Sequence, residues 1–330
     1  MGTPDVLRLV TAATTTALLA TLAAACAARD DWAPEALLLG DVSVSRHEIE
    51  RGRQVYAEYC VGCHGARGDG RGPAARMLEP PPRDFTKGIF KFAGVPSGTL
   101  PHDEDLERII ARGLFPSAMP DFPLLDAADR RAVVQYLKTF SPRWASSRPG
   151  ARIVPTDDPF ADDDAGGIQR GRHLYHGIAE CWSCHPSYAS RAEISAFART
   201  DGRTVDSFRD AMFAPVPKPS DWGFDIVPPD FPVEGVKSGS SLEDLYRTIA
   251  SGVGGTAMPT WRESLPENDI WALVHYVRSL VVMDRATLAR LRRTIGAPAH
   301  STAAVSAPPA ARPDLTPPSP HERGELAENP

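Results

Sequence analysis

One five-residue pattern, present twice, limits what this chain can fold into: Cys60-Val61-Gly62-Cys63-His64 and Cys181-Trp182-Ser183-Cys184-His185. Two thiols three positions apart, with an imidazole directly after the second, share one side of a single helical turn. That geometry lets both sulfurs add across the vinyl groups of a porphyrin while the imidazole takes an axial position on its iron. A lone Cys-x-x-Cys would equally suit a redox dithiol or half of a zinc site. Zinc wants two pairs near one another, whereas these lie a whole domain apart and each carries its own histidine; no βαβ pattern of a thioredoxin type surrounds either. The pattern therefore predicts two covalently bound haem c groups, held through Cys60, Cys63, Cys181 and Cys184, with His64 and His185 as iron ligands.

The surroundings of the motifs repeat as well. Arg51-Gly52-Arg53 returns as Arg170-Gly171-Arg172. Downstream, Asp105-Leu106, Gly113 and Met119-Pro120 return as Asp244-Leu245, Gly252 and Met258-Pro259 at one constant offset, and Tyr136 returns as Tyr276 one place later. A fixed offset over such a length indicates two copies of one domain. Helical spacing of Ile49, Gly52, Tyr56 and Tyr59 leads into the first motif, and a short helix follows from Asp103 to a stop at Gly113. A closing helix runs from about Asp126 to Phe140, and Ile270, Val274, Val277 and Val281 mark its counterpart. Ser240 with Glu243 and Ser264 with Glu267 have the spacing of capping boxes. Between motif and helix, the Gly- and Pro-rich stretch from Gly65 to Pro101 reads as loop. The expected fold is mainly α: two tandem helical domains, each wrapped around one covalently attached haem. The predicted layout is a signal over 1–25, a tether over 26–45, domain 1 over 46–140 and a Pro/Asp-rich linker over 141–167, whose aspartates read as solvated. Domain 2 follows over 168–283 with an insertion at 186–241, then a short helical extension over 284–296 and a disordered Ala/Pro-rich tail over 297–330.

A second axial ligand decides between electron carrier and enzyme. Of six methionines, only Met119 and Met258 occupy equivalent positions, each after a glycine-terminated helix and before a proline and the closing helix. A thioether is soft and neutral, so it favours ferrous iron and fills the site against oxygen or peroxide. Met119 and Met258 are the predicted sixth ligands, and Met77, Met212 and Met283 read as packing. His102, His173, His176 and His275 are the alternatives for bis-histidine ligation. Lys87 and Lys91 read as surface lysines, with a part in docking as the alternative. Tyr136 and Tyr276 read as packing opposite Gly52 and Gly171.

Four of the five cysteines belong to the motifs, which leaves Cys26. No charge occurs from Leu9 to Ala28, as in a secretory signal with a short apolar core. Leu22-Ala23-Ala24-Ala25-Cys26 resembles a bacterial lipoprotein cleavage site, with Ala23 at a place more often held by leucine, and implies lipidation of Cys26. An uncleaved anchor helix and ordinary cleavage nearby are the alternatives. All three place the body on the periplasmic side of a bacterial membrane. The formal charge of −6 and the lack of a basic cluster argue against nucleic acid.

Together these residues resemble class I cytochrome c domains in a tandem, dihaem, bacterial exported arrangement, over Arg46 to Phe140 and Ile168 to Val282. The resemblance implies a bundle of helices around each haem, with Gly52 at the crossing with the helix of Tyr136 and Gly171 at the crossing with that of Tyr276. Pro82-Arg83-Asp84-Phe85 through Phe92 is similar to bacterial mono- and dihaem cytochromes associated with respiratory complexes. The implied function is single-electron transfer between redox protein partners in a respiratory or related chain, free or as a subunit of a larger oxidoreductase. The chain is then a carrier and not an enzyme in its own right. The competing reading is a dihaem cytochrome c peroxidase, which requires an open coordination site and acid–base groups above it; two matched Met-Pro loops argue against it.

Overall fold

The structure, a computed structural model, describes residues 35–298. The signal segment, Cys26 and the tail beyond lie outside the described residues. Among the described residues no helix is long and apolar enough to cross a membrane.

The chain first forms a hairpin of β1 (Ala36–Leu39) and β2 (Val42–Ser45), paired antiparallel with Leu37 opposite Val44. The sequence suggests an irregular tether here. Alternation puts Leu39 and Val44 inward, at 6% and 1% exposure, against the buried Trp144 from beyond domain 1. Ser45 then accepts a hydrogen bond from the Glu48 amide and starts α1 (Arg46–Tyr59), whose buried stripe is Ile49, Gly52, Val55 and Tyr56. After the turn Val61–His64 and a long irregular segment comes α2 (Asp103–Arg112). Three acids occupy its first turn, where the helix dipole favours them, and it ends at Gly113 with φ +66°. Asp126 caps α3 (Ala127–Lys138) by accepting from the Asp129 amide at 2.8 Å.

The intervening stretch is ordered. Trp144 sits in a single helical turn (Arg143–Ser146) and its carbonyl accepts from the Gly40 amide; Ile153 bonds back to Gly94. The acidic run is not simply solvated. Asp163 caps α4 (Asp164–His173), four residues earlier than the predicted start of domain 2, and Asp158 and Asp164 bracket His275. The copies differ in length here: the first motif cysteine comes six positions after the tyrosine of the first helix, not four. A π-helical turn over Leu174–Ile178 and a left-handed Glu180 (φ 48°) absorb the surplus, and the motif keeps its place.

The insertion carries α5 (Arg191–Thr200), capped reciprocally by Ser190 and Glu193, a two-residue strand pair and the turn Phe231–Glu234. Next come α6 (Leu242–Ser251), α7 (Glu267–Val281) and α8 (Arg285–Ile295). The cap of α6 is Ser241, accepting from the Asp244 amide, one residue later than predicted. Pro266, not Ser264, precedes α7.

Each domain is built on one crossing, α1 on α3 and α4 on α7. A Cβ on Gly52 would lie 2.0 Å from the Ala132 carbonyl oxygen, and one on Gly171 would lie 1.9 Å from that of Ala272. Only glycine lets these backbones approach, and Tyr136 and Tyr276 pack directly against the two glycines. The two domains also dock. The Gly254 amide donates to the Lys91 carbonyl at 3.1 Å, the Ser97 amide to Thr260 Oγ1 at 2.9 Å, and Arg112 pairs with Asp244.

Candidate haem-attachment sites

In both domains the motif follows directly on the first helix or its continuation, and all four motif cysteines are unpaired thiols. Burial pushes Cys60 and Cys181 up to about 12, so both remain protonated at neutral pH. Burial thus disfavours the thiolate form at the first cysteine of each motif. Among the described residues no cluster of three or more His, Cys, Asp or Glu is placed to hold a metal ion.

The two motif histidines share one arrangement. His64 Nδ1 lies 3.0 Å from the Arg83 carbonyl oxygen and His185 Nδ1 lies 3.1 Å from that of Pro229. A carbonyl can only accept, so Nδ1 carries the proton and Nε2 keeps its lone pair, with no hydrogen bond from any described residue. Burial lowers both imidazoles, His185 to about 4, which keeps them neutral and able to ligate. Phe85 stacks on His64 at 4.5 Å between ring centroids and Phe231 on His185 at 4.8 Å, fixing the ring planes. Tyr56 and Tyr175 each donate a hydroxyl hydrogen bond to the residue just after the motif, to the Gly65 and Pro186 carbonyls.

The methionine loops are copies of each other. The Leu114 amide donates to the Met119 carbonyl at 3.0 Å, and the Val253 amide to that of Met258 at 3.2 Å. The Met119 amide donates to Ser117 Oγ and the Met258 amide to Thr256 Oγ1. Both methionines are half-buried, and both loops fold back on the glycine that ends the preceding helix. The remaining methionines differ: Met212 is core, Met283 packs against the same core, and Met77, predicted to pack, is 81% exposed.

The four histidines that the sequence offers as alternative ligands are committed elsewhere. His102 Nε2 bonds to the Gly150 carbonyl and His173 Nε2 to Asp201. Both nitrogens of His176 are used, by the Arg172 carbonyl and the Tyr188 amide, and both nitrogens of His275 meet aspartates. The lysines are not free docking charges either. Lys87 Nζ donates to the Asp221 carbonyl across the domain boundary, and Lys91 lies over the Trp222 indole.

Arg209 escapes a reading of the sequence. It donates to the carbonyls of Trp182 and His185 in the second motif and of Ala211, Met212 and Ala214 in the insertion. Preceded and followed by aspartates nearby, it reads as an ordinary surface charge, and no local pattern marks its five acceptors.

The family model described as cytochrome C oxidase, cbb3-type, subunit III matches residues 47–137 and 166–277. The chain belongs to this family. Its two matched segments are the two domains described above, so it carries cytochrome c domains in tandem. Such domains bind haem c and transfer electrons, and the donor set present fits that group: unpaired thiols, imidazoles with Nε2 available, and a buried indole N–H of Trp222 with no partner among the described residues. A chain of the Kuenenia stuttgartiensis reducing HAO-like protein complex is 34% identical, with a TM-score of 0.57; the match covers 70% of this cytochrome and 96% of that chain. No curated protein matches it.

Proposed function

We propose that this cytochrome is an exported dihaem electron carrier, with thioether links at Cys60, Cys63, Cys181 and Cys184 and with the His64/Met119 and His185/Met258 pairs as axial ligands. Each haem c supplies a one-electron Fe(III)/Fe(II) couple. The chain supplies the rest. Carbonyls of Arg83 and Pro229 set the tautomer and the angle of each imidazole, and Phe85 and Phe231 prevent ring rotation. The Met-Pro loops present a soft neutral donor that raises potential and closes the sixth position to small oxidants. Rigid ligands in both oxidation states keep reorganisation low, which suits transfer and opposes chemistry on a bound substrate. Two matched sites therefore favour a carrier over a peroxidase.

The observation that carries this reading is the identical backbone and hydroxyl bonding of the two methionine loops. A segment packing for bulk alone has no reason to be reproduced amide by amide in a copy that differs in sequence. The optical and magnetic spectra of Met119→Ala and Met258→Ala test it. Each substitution is expected to remove one methionine-ligated low-spin signal and leave the other; no change in either rejects both ligands.

Export rests on the uncharged stretch Leu9 to Ala28, and attachment to the outer face of a bacterial membrane on a lipidated Cys26. Mass spectrometry of the mature amino terminus checks both. The resemblance to a chain of a larger redox complex supports work within an assembly, passing electrons to or from a partner oxidoreductase.

A further inference from the structure

The domain boundary holds an unusual group of side chains. Trp222, from the insertion of domain 2, is 7% exposed, and its indole N–H has no partner among the described residues. The Arg83 guanidinium of domain 1 lies 3.6 Å above that indole and the Lys91 ammonium 5.4 Å from its centre. Neither cation forms an ion pair with any described residue. A buried indole donor without an acceptor is costly, and two cations packed on one ring without a paired carboxylate add to that cost. Burial first, and then the charges of Arg83 and Lys237, together lower Lys91 to about 7. Such a set persists where an anion that is part of the working protein completes it.

The place of this set identifies the anion. The backbone of Arg83 is the acceptor for His64, so its side chain leaves from the rim of the first haem site. Lys91 lies eight residues on, and Lys237 lies eight residues after Pro229, the acceptor for His185. Both lysines thus follow their histidine acceptor at one register, and Lys237 stands close enough for its charge to oppose that of Lys91. The only anions a haem c carries are its two propionate carboxylates.

We propose that Arg83, Lys91 and the Trp222 indole N–H receive the propionates of the first domain's haem, so that the insertion of domain 2 completes the haem site of domain 1. This rests on the two-haem reading above. Stacking on Trp222 restrains the Arg83 guanidinium, whose planar fork is suited to take a carboxylate in bidentate fashion. Domain docking and the potential of the first haem are then linked, because separating the domains removes the indole donor from the carboxylate.

Full-length protein with Trp222→Phe, and separately with Lys91→Gln, tests this by three readouts: covalent haem content, redox titration of both haems, and resonance Raman bands of propionate bending. Losing a donor or a cation leaves the carboxylate more negative and favours ferric iron. Both variants are expected to keep two haems and to lower one potential, by up to a tenfold change in redox equilibrium, or about 59 mV. The propionate bands of the same haem shift and the second potential stays. The affected haem is identified by Cys60→Ala, which leaves it one vinyl group and a displaced absorption band. Unchanged potentials and bands in both variants with two haems present overturn the proposal, as does a shift confined to the second haem. Fewer than two covalent haems in the unaltered protein would instead overturn the two-haem reading.

Discussion

The two domains hold the same motif by different means. In domain 1 the carbonyls of Gly62, Cys63 and His64 accept from the amides of Ala74, Gly72 and Gly70, so the glycine-rich loop closes on the motif with its own backbone. In domain 2 that short loop is replaced by the long insertion, and the Trp182 and His185 carbonyls accept from the Arg209 guanidinium, while the Val216 amide donates to that of Cys184. One domain satisfies these acceptors by glycine and tight turns; the other uses a forked cation together with one backbone amide. The requirement fixed by the site is that the motif carbonyls be satisfied, and the chain has met it twice with unrelated residues.

The crossings, by contrast, are the same in both copies, and substitution there is expected to have the largest effect. Gly52→Ala and Gly171→Ala each place a Cβ within 2.0 Å of a backbone carbonyl oxygen, which cannot yield as a side-chain end can. Each should cost about 3 kcal/mol or more and release its own domain first. Thermal unfolding followed separately in each domain is expected to show one lowered transition per variant, of similar size; an alanine tolerated in either domain breaks the equivalence. Arg209→Ala comes next. It strips donors from five carbonyls and should cost about 2–3 kcal/mol in domain 2 only. Arg209→Lys restores the charge but not the fork, and is expected to recover less than half of the loss by the same measurement. Deleting the side chain of Arg67 or Arg71 in the glycine-rich loop should leave domain 1 nearly unchanged, because backbone amides close that loop on the motif.

These differences explain how much of the molecule is legible in its sequence. Cysteine and histidine spacing, the two glycines, the Met-Pro pairs and the helix stripes are local patterns, and each appears in the structure as helix, crossing or matched loop. The hairpin at 36–45 is not legible because its two short strands are stabilised by Trp144, a residue a hundred positions away that no local window connects to it. The acidic run reads as solvated because its partner, His275, lies beyond the whole second motif. Arg209 and Trp222 are invisible for a related reason: an insertion has no counterpart in the other copy, so the repeat that sharpens every other assignment has nothing to say about it. For Met119 and Met258 the sequence supplies chemistry and repetition, and the structure shows two loops folded alike.

The smallest expected effect sets a histidine against a glutamine. In the closing helices, Gln135 precedes Tyr136 just as His275 precedes Tyr276. Gln135 donates to Asp103 at 2.6 Å, and the buried Lys138 pairs with the same carboxylate, so no histidine stands at this corner of domain 1. His275, 3% exposed, sits between Asp158 at 2.9 Å and Asp164 at 2.6 Å. Burial alone would lower it, but the two aspartates outweigh burial and raise it above the ordinary 6.5. A raised folded-state value means that the stabilisation is complete below the unfolded value and is lost as pH climbs through the folded one. It amounts to about 1.4 kcal/mol for each tenfold gain in proton affinity on folding. Domain 2 is therefore expected to weaken relative to domain 1 as pH rises above 6.5, levelling off once His275 is neutral. Urea unfolding monitored separately in the two domains measures this. His275→Gln should lower domain 2 stability in acid while abolishing its slope, making the two domains run parallel; a slope that survives the substitution would place the titrating group elsewhere.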